Sequence, residues 1–176
     1  FRSLRIVYVD ATTAQQKAEE AIRDGVFTDN EDNAMLKVDG SATVNPLYMI
    51  CYTYNDSRLG ATMESYLKGY EDPRLDIWFA KSEVSEYKDY NGIRCGSMFT
   101  GNDYKIFSNL NVSSSTPIQF MNAAEVYFLR SEAALRGWNA GGNEKALYES
   151  GIMTAFSQPL GATQAKAGDA SAYIKG

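Results

Sequence analysis

Any chemistry in this chain would have to come from carboxylates, lysines, tyrosines or a bare cysteine, because its 176 residues include no histidine. That absence removes Ser-His-Asp and Cys-His constellations, the commonest general base and nearly every catalytic zinc site. Two groups of carboxylates remain. Glu125 and Glu132 stand two turns apart on one helix face, and Glu64, Asp72 and Asp76 gather near the end of another helical stretch. A carboxylate pair can hydrolyse a glycosidic bond, but a retaining pair holds its carboxyls about 5 Å apart, whereas two helical turns set Cα atoms roughly 10 Å apart. Glu125 is better explained as the N3 residue of a capping box, and Glu132 by its ion-pair partner Arg136 at i+4. No enzyme is expected.

Cys51 and Cys95 lie far apart without CxxC or metal-ligand spacing, so a disulfide and two free buried thiols both remain open. TDNEDN (28–33) is the one acidic cluster that could suggest calcium. It lacks the glycine and terminal glutamate of a calcium loop and is expected to be a solvated turn. No cofactor or metal is required. The net charge of −5 argues against a partner bound through phosphates, and nucleic acid is excluded as a ligand on that ground. No apolar run approaches the ~18 residues of a transmembrane helix.

The elements that would position these residues are helical at both ends and irregular between. FRSLRIVYV (1–9) resembles the tail of a helix, and Asp10 can cap the next one, where Ala14, Ala18, Ala21 and Ile22 form a stripe ending at Gly25. Residues 26–54 carry turn signals and weak strand. Ser57 is expected to open a third helix bearing Leu59, Met63, Tyr66, Leu67 and Tyr70, which Asp72-Pro73 ends; Asp72 and Arg74 then fix the turn. LDIWFA (75–80) suits a strand or a buried connector, with Trp78 in the core. Asn122 and Asn143 each cap a helix, and these two form a hairpin around Gly137 and the packing residue Trp138. Residues 81–116 show no sustained period and scatter Tyr87, Tyr90, Phe99, Tyr104 and Phe107 among Gly, Asn, Ser and Asp. Long ordered loops are usually functional, so a binding surface is expected there.

AAEVYFLRSEAALRGW followed by NEKALYESGI resembles the signature hairpin of the SusD/RagB family of outer-membrane nutrient-binding lipoproteins. Three further blocks fall in that family's order. VDATTAQQKAEEAIRDGVF is similar to its tetratricopeptide-like hairpin, ESYLKGYEDPRL to its helix ending in an Asp-Pro-Arg turn, and YNGIRCGS to its loop with paired glycines.

The resemblance implies a mostly α fold in which tetratricopeptide-like helical hairpins, at about 1–24 and 122–157, carry a loop-rich, aromatic-rich insertion at about 75–116. It implies one SusD-like domain over 1–176, incomplete relative to the family, since the chain opens at Phe1 without a signal region or lipidated cysteine. It further implies non-catalytic capture of an oligosaccharide or polysaccharide at the cell surface, for a SusC-like TonB-dependent transporter. Membrane contact would then run only through a lipid anchor outside this sequence. A peptide-binding branch of the family and a helical-repeat adaptor are the alternatives. Glycan binding wants flat aromatic faces beside amides, carboxylates or guanidinium groups. Tyr87, Tyr90, Asn91, Arg94, Phe99, Asn102 and Tyr104 are the candidate ligand contacts, and alanine at Tyr90 is expected to weaken glycan binding without unfolding the protein.

Overall fold

The computed structural model describes residues 6–159 and 166–175, the side chain of Asn102 excepted. The fold is mostly α, and the chain divides into two compact units. Among the described residues, one is built from 6–35, 119–158 and 169–175, the other from 36–118, 159 and 166–168.

Local capping chemistry starts the helices of the first unit. The Asp10 carboxylate accepts the Thr13 N–H at 2.9 Å and opens α1 (Ala11–Asp24), whose Ala14 and Ala18 are fully buried. Asn122 accepts the Glu125 N–H at 2.7 Å at the start of α5 (Ala123–Leu135), and Asn143 accepts the Ala146 N–H at 2.8 Å at the start of α6 (Glu144–Ser157). After α5 the chain turns through Gly137 at φ 78°, where the Gly137 N–H bonds Ala134 O and the Trp138 N–H bonds Ala133 O. That pair of bonds is a Schellman motif and fixes the hairpin's corner. The core of this unit is Ala133, Ala140 and Leu147, with Ile22, Tyr127 and Trp138 packed on it, as expected for Trp138. A short α7 (Ala170–Lys175) opens where the Asp169 carboxylate accepts the Ser171 N–H at 2.7 Å, and it sets Tyr173 against Phe156 with ring centroids 4.9 Å apart.

Ahead of α1 the described chain makes one 3₁₀ turn at 6–8; the rest of the expected first helix, 1–5, lies outside the described residues. TDNEDN is a turn, as expected. Asp29 accepts the Glu31 N–H at 2.8 Å and Asp32 accepts the Thr28 N–H at 2.7 Å, so both carboxylates serve their own loop. Strand β1 (Ala34–Leu36) pairs with β2 (Ile118–Met121), and residues 37–117 of the second unit lie between them in the chain.

That second unit departs further from expectation. Within the stretch expected to be loop, Asn45 caps α2 (Pro46–Tyr48), which runs straight into a π-helical turn at Met49–Thr53. The third helix begins at Gly60 rather than Ser57: α3 is Ala61–Gly69. Leu59 therefore precedes the helix, tied by its N–H to Ser108 O at 2.8 Å. LDIWFA is not a strand, because Pro73 starts a short helix, α4 (Arg74–Trp78), too brief to leave a periodic signature; it is a buried connection in that Leu75 sits in the core with Trp78 and Phe79 packed against it. Only Phe79 beyond it makes an isolated bridge, to Leu110. The Asp72–Arg74 turn is as expected, with Arg74 Nε 2.9 Å from an Asp72 oxygen and Asp72 itself buried.

Residues 81–116 are loop-rich, with short 3₁₀ turns at Ser85–Tyr87 and Gly101–Ile106. Order comes instead from backbone cross-links to other segments. Ile93 N–H bonds Leu59 O at 2.7 Å, Ala61 N–H bonds Ile93 O at 2.8 Å, and Ala80 N–H bonds Asn109 O at 2.9 Å. The core beneath is Leu59, Leu67, Leu75 and Tyr90, with Trp78 and Phe79 packed against it.

Candidate functional site

The second unit holds a pocket of about 290 Å³ lined by Tyr52, Asn55, Arg58, Glu83, Tyr104, Lys105 and Asn109. Its walls come from the π turn, the segment that follows it, and both ends of the long loop. Tyr52 is set by stacking on Tyr48, with centroids 5.2 Å apart, and by its hydroxyl donating to Leu110 O at 2.6 Å. Partial burial holds the Tyr52 hydroxyl above the usual tyrosine range, so it stays a neutral donor. Asn109 anchors the floor: it is buried, and its amide donates to Cys51 O at 3.2 Å.

Arg58 crosses from one wall to the other. Its guanidinium donates to Tyr104 O at 3.3 Å, to Ser57 O at 2.8 Å and to the Asn55 side-chain oxygen at 3.1 Å. Asn55, at φ 59°, adopts the left-handed conformation that asparagine tolerates better than most residues. Behind Tyr104, the rings of Phe99 and Phe107 meet edge to face at 4.8 Å, and Phe99 reaches Tyr104 at 6.0 Å. Glu83 and Lys105 are exposed at the mouth. Such a wall can hydrogen-bond hydroxyls from several directions while presenting tyrosine rings to an apolar face.

Of the seven residues expected to contact ligand, only Tyr104 lines this pocket, with Phe99 supporting its ring. Tyr90 does not offer a face. It is 7% exposed and closes the core with Leu59, Leu67 and Leu75, while Lys81 lies over its ring at 5.5 Å. Asn91 spends its amide on the loop itself, donating to Tyr87 O and Asp89 O at 3.1 Å. Tyr87 is half exposed and Arg94 is exposed, both away from the pocket lining. The side chain of Asn102 lies outside the described residues.

Tyr52, Asn55, Arg58, Glu83, Lys105 and Asn109 were not anticipated. The run CYTYNDSR carries a usable signal, paired tyrosines leading into an Asn-Asp-Ser turn and an arginine. The two cysteines are unbridged: Cys51 is buried, its thiol pushed up by desolvation, while Cys95 is exposed rather than buried. Of the carboxylates that might have suggested catalysis, Glu132 lies 2.7 Å from Arg136 as expected, whereas at Glu125 it is the backbone N–H that Asn122 accepts, which is one half of the expected capping box. Among the described residues, no helix is long and apolar enough to cross a membrane.

Helical hairpins together with a loop-rich insertion match the mostly α, SusD-like fold. The description "SusD-like, SusD and RagB outer membrane lipoprotein" matches residues 2–176, and the chain belongs to that family. It is similar to a SusD homologue from Bacteroides thetaiotaomicron at 35% identity and TM-score 0.85, covering 99% of this chain and 35% of that one. A chitin-binding SusD homologue from Flavobacterium johnsoniae is 38% identical with TM-score 0.83, covering 98% of this chain and 35% of that one. A SusD homologue from Bacteroides vulgatus is 33% identical with TM-score 0.81, covering 99% and 35%. This chain thus spans about 35% of the length of those structures. None of the curated proteins matches it.

Proposed function

We propose that the protein captures an oligosaccharide without cleaving it and presents it at the outer-membrane surface to a SusC-like TonB-dependent transporter. The observation that carries this reading is the pocket at Tyr52, Arg58 and Tyr104, lined by tyrosine, amide, carboxylate and cationic residues together. Sugar rings need that mixture, an apolar face to stack and several oriented partners for their hydroxyls. The chitin-binding relative supports glycan as the ligand class. A binding rather than hydrolytic role is supported by the wall's chemistry. Glycosidases of the usual kinds need two carboxyls across the scissile bond, and Glu83 is the one carboxylate among the lining residues. Family membership supports an outer-membrane location, and a transporter partner is the part of the proposal that goes beyond it.

Titration calorimetry of the full-length protein against neutral and acidic oligosaccharides tests the reading, with a reducing-end assay run on the same mixtures. Saturable binding without new reducing ends is expected, and Tyr104→Ala should weaken it about fivefold or more, in keeping with ~1 kcal/mol for an aromatic contact. Release of reducing ends, or binding to peptides alone, would overturn it.

A further inference from the structure

The pocket's charges are not balanced within it. Arg58 and Lys105 contribute two cations to the lining against the single carboxylate of Glu83, in a chain whose net charge is −5. Arg58 is held by neutral groups only, two backbone carbonyls and one side-chain amide oxygen. Those three bonds use three of its five N–H donors and leave two for a ligand. Neither Lys105 nor Glu83 forms an ion pair among the described residues. By contrast Lys68, Arg74 and Arg136 are each closed by a carboxylate, at Glu64, Asp72 and Glu132.

A partly buried guanidinium held only by neutral dipoles keeps its charge open to a counterion. From this we infer that the pocket selects an acidic saccharide, one bearing a carboxylate or sulfate group that sits between Arg58 and Lys105. The inference rests on the glycan-binding reading above and names its substrate class. Arg58 supplies the positioned donors, since its side chain is already fixed by Asn55, Ser57 and Tyr104. Lys105, exposed and without an ion pair among the described residues, supplies charge that can move to the ligand. Glu83 accepts from hydroxyls and sets the orientation by repelling the acidic group from its side of the wall.

Three probes against the full-length protein separate the possibilities: tetragalacturonate for carboxylate, a chondroitin sulfate tetrasaccharide for sulfate, and chitotetraose as the neutral reference. One acidic probe should bind about five- to tenfold more tightly than chitotetraose, the scale of one or two partly exposed ion pairs. That margin should shrink as NaCl is raised from roughly 50 to 300 mM, because the Debye length falls over that range. Lys105→Gln should collapse the margin and Lys105→Arg should keep it, with circular dichroism confirming that both variants are folded. Equal or tighter binding of chitotetraose, or a margin untouched by Lys105→Gln, overturns the inference while leaving glycan capture standing. Failure of all three probes to bind removes both.

Discussion

Gly92 has no room for a methyl group. A Cβ there would lie 2.6 Å from Ala61 Cα and 2.7 Å from Ala61 N, backbone atoms that cannot rotate away. The close approach exists because Gly60 and Ile93 pair in parallel and the Gly92 N–H reaches a Glu64 carboxylate oxygen at 2.7 Å. Gly92→Ala should therefore push the loop off the start of α3 and cost about 1–3 kcal/mol, the usual range for overpacking. Chemical denaturation would show this as a lower midpoint at unchanged slope. Tyr90, two residues earlier, makes the opposite point. Read as a residue of an irregular, polar stretch, it resembles a ligand platform, and its burial is set by Leu59, Leu67 and Leu75, which are distant in sequence. Tyr90→Ala should destabilise by about 3 kcal/mol or more, as large-to-small core changes do, whereas Tyr90→Phe should keep most of the stability. A Tyr90→Ala variant that melts like the parent would return that ring to the surface.

At the scale of elements, what the sequence made legible was what is local. Asp10, Asn122 and Asn143 are caps that bond three residues on, and Glu132 finds Arg136 one turn away, so neighbours alone specify them. The π turn at Met49–Thr53 and the five-residue α4 are too short for periodicity, and the pocket joins 52–58 to 83 and 104–109, which no spacing rule connects. A clasp between α3 and the long loop illustrates such nonlocal specification. Lys68 Nζ donates to Glu64 at 2.8 Å, to Asp89 at 3.0 Å and to Tyr90 O at 2.7 Å. Hydrogen bonding to Glu64 raises the Lys68 pKa above its ordinary 10.5, and hydrogen bonding to Lys68 lowers that of Asp89 below its ordinary 3.8. The raised ammonium contributes stability that is complete below pH 10.5 and fades as pH climbs past its folded value. The lowered carboxylate contributes stability that is complete above pH 3.8 and fades as pH falls through its folded value. Melting temperature should thus lose the clasp's contribution only at those two extremes, and Lys68→Met should flatten both limbs. Because the clasp is partly exposed, the effect is small and screened by salt.

The whole molecule is organised as an insertion. The chain leaves the helical-hairpin unit through β1 and re-enters it through β2; the segment between, 37–117, holds the pocket and its own core, and Leu36, Ile118, Pro159 and 166–168 are the other described residues of the second unit. Paired strands lie about 5 Å apart, so the two ends of the insertion are brought close by the unit that hosts them. The host's own core, Ala133, Ala140 and Leu147 with Ile22 and Trp138, draws on no residue of the insertion. Replacing 37–117 with about six Gly and Ser residues, which can span up to ~20 Å, should leave the hairpin unit folded. The expected readouts are a helical circular dichroism spectrum, a cooperative melt, and complete loss of oligosaccharide binding. Cooperative folding with binding retained would place the ligand on the hairpins and dismiss the pocket. A molten or aggregated product would instead mean that the hairpins need the insertion for their fold, making the two units a single cooperative domain.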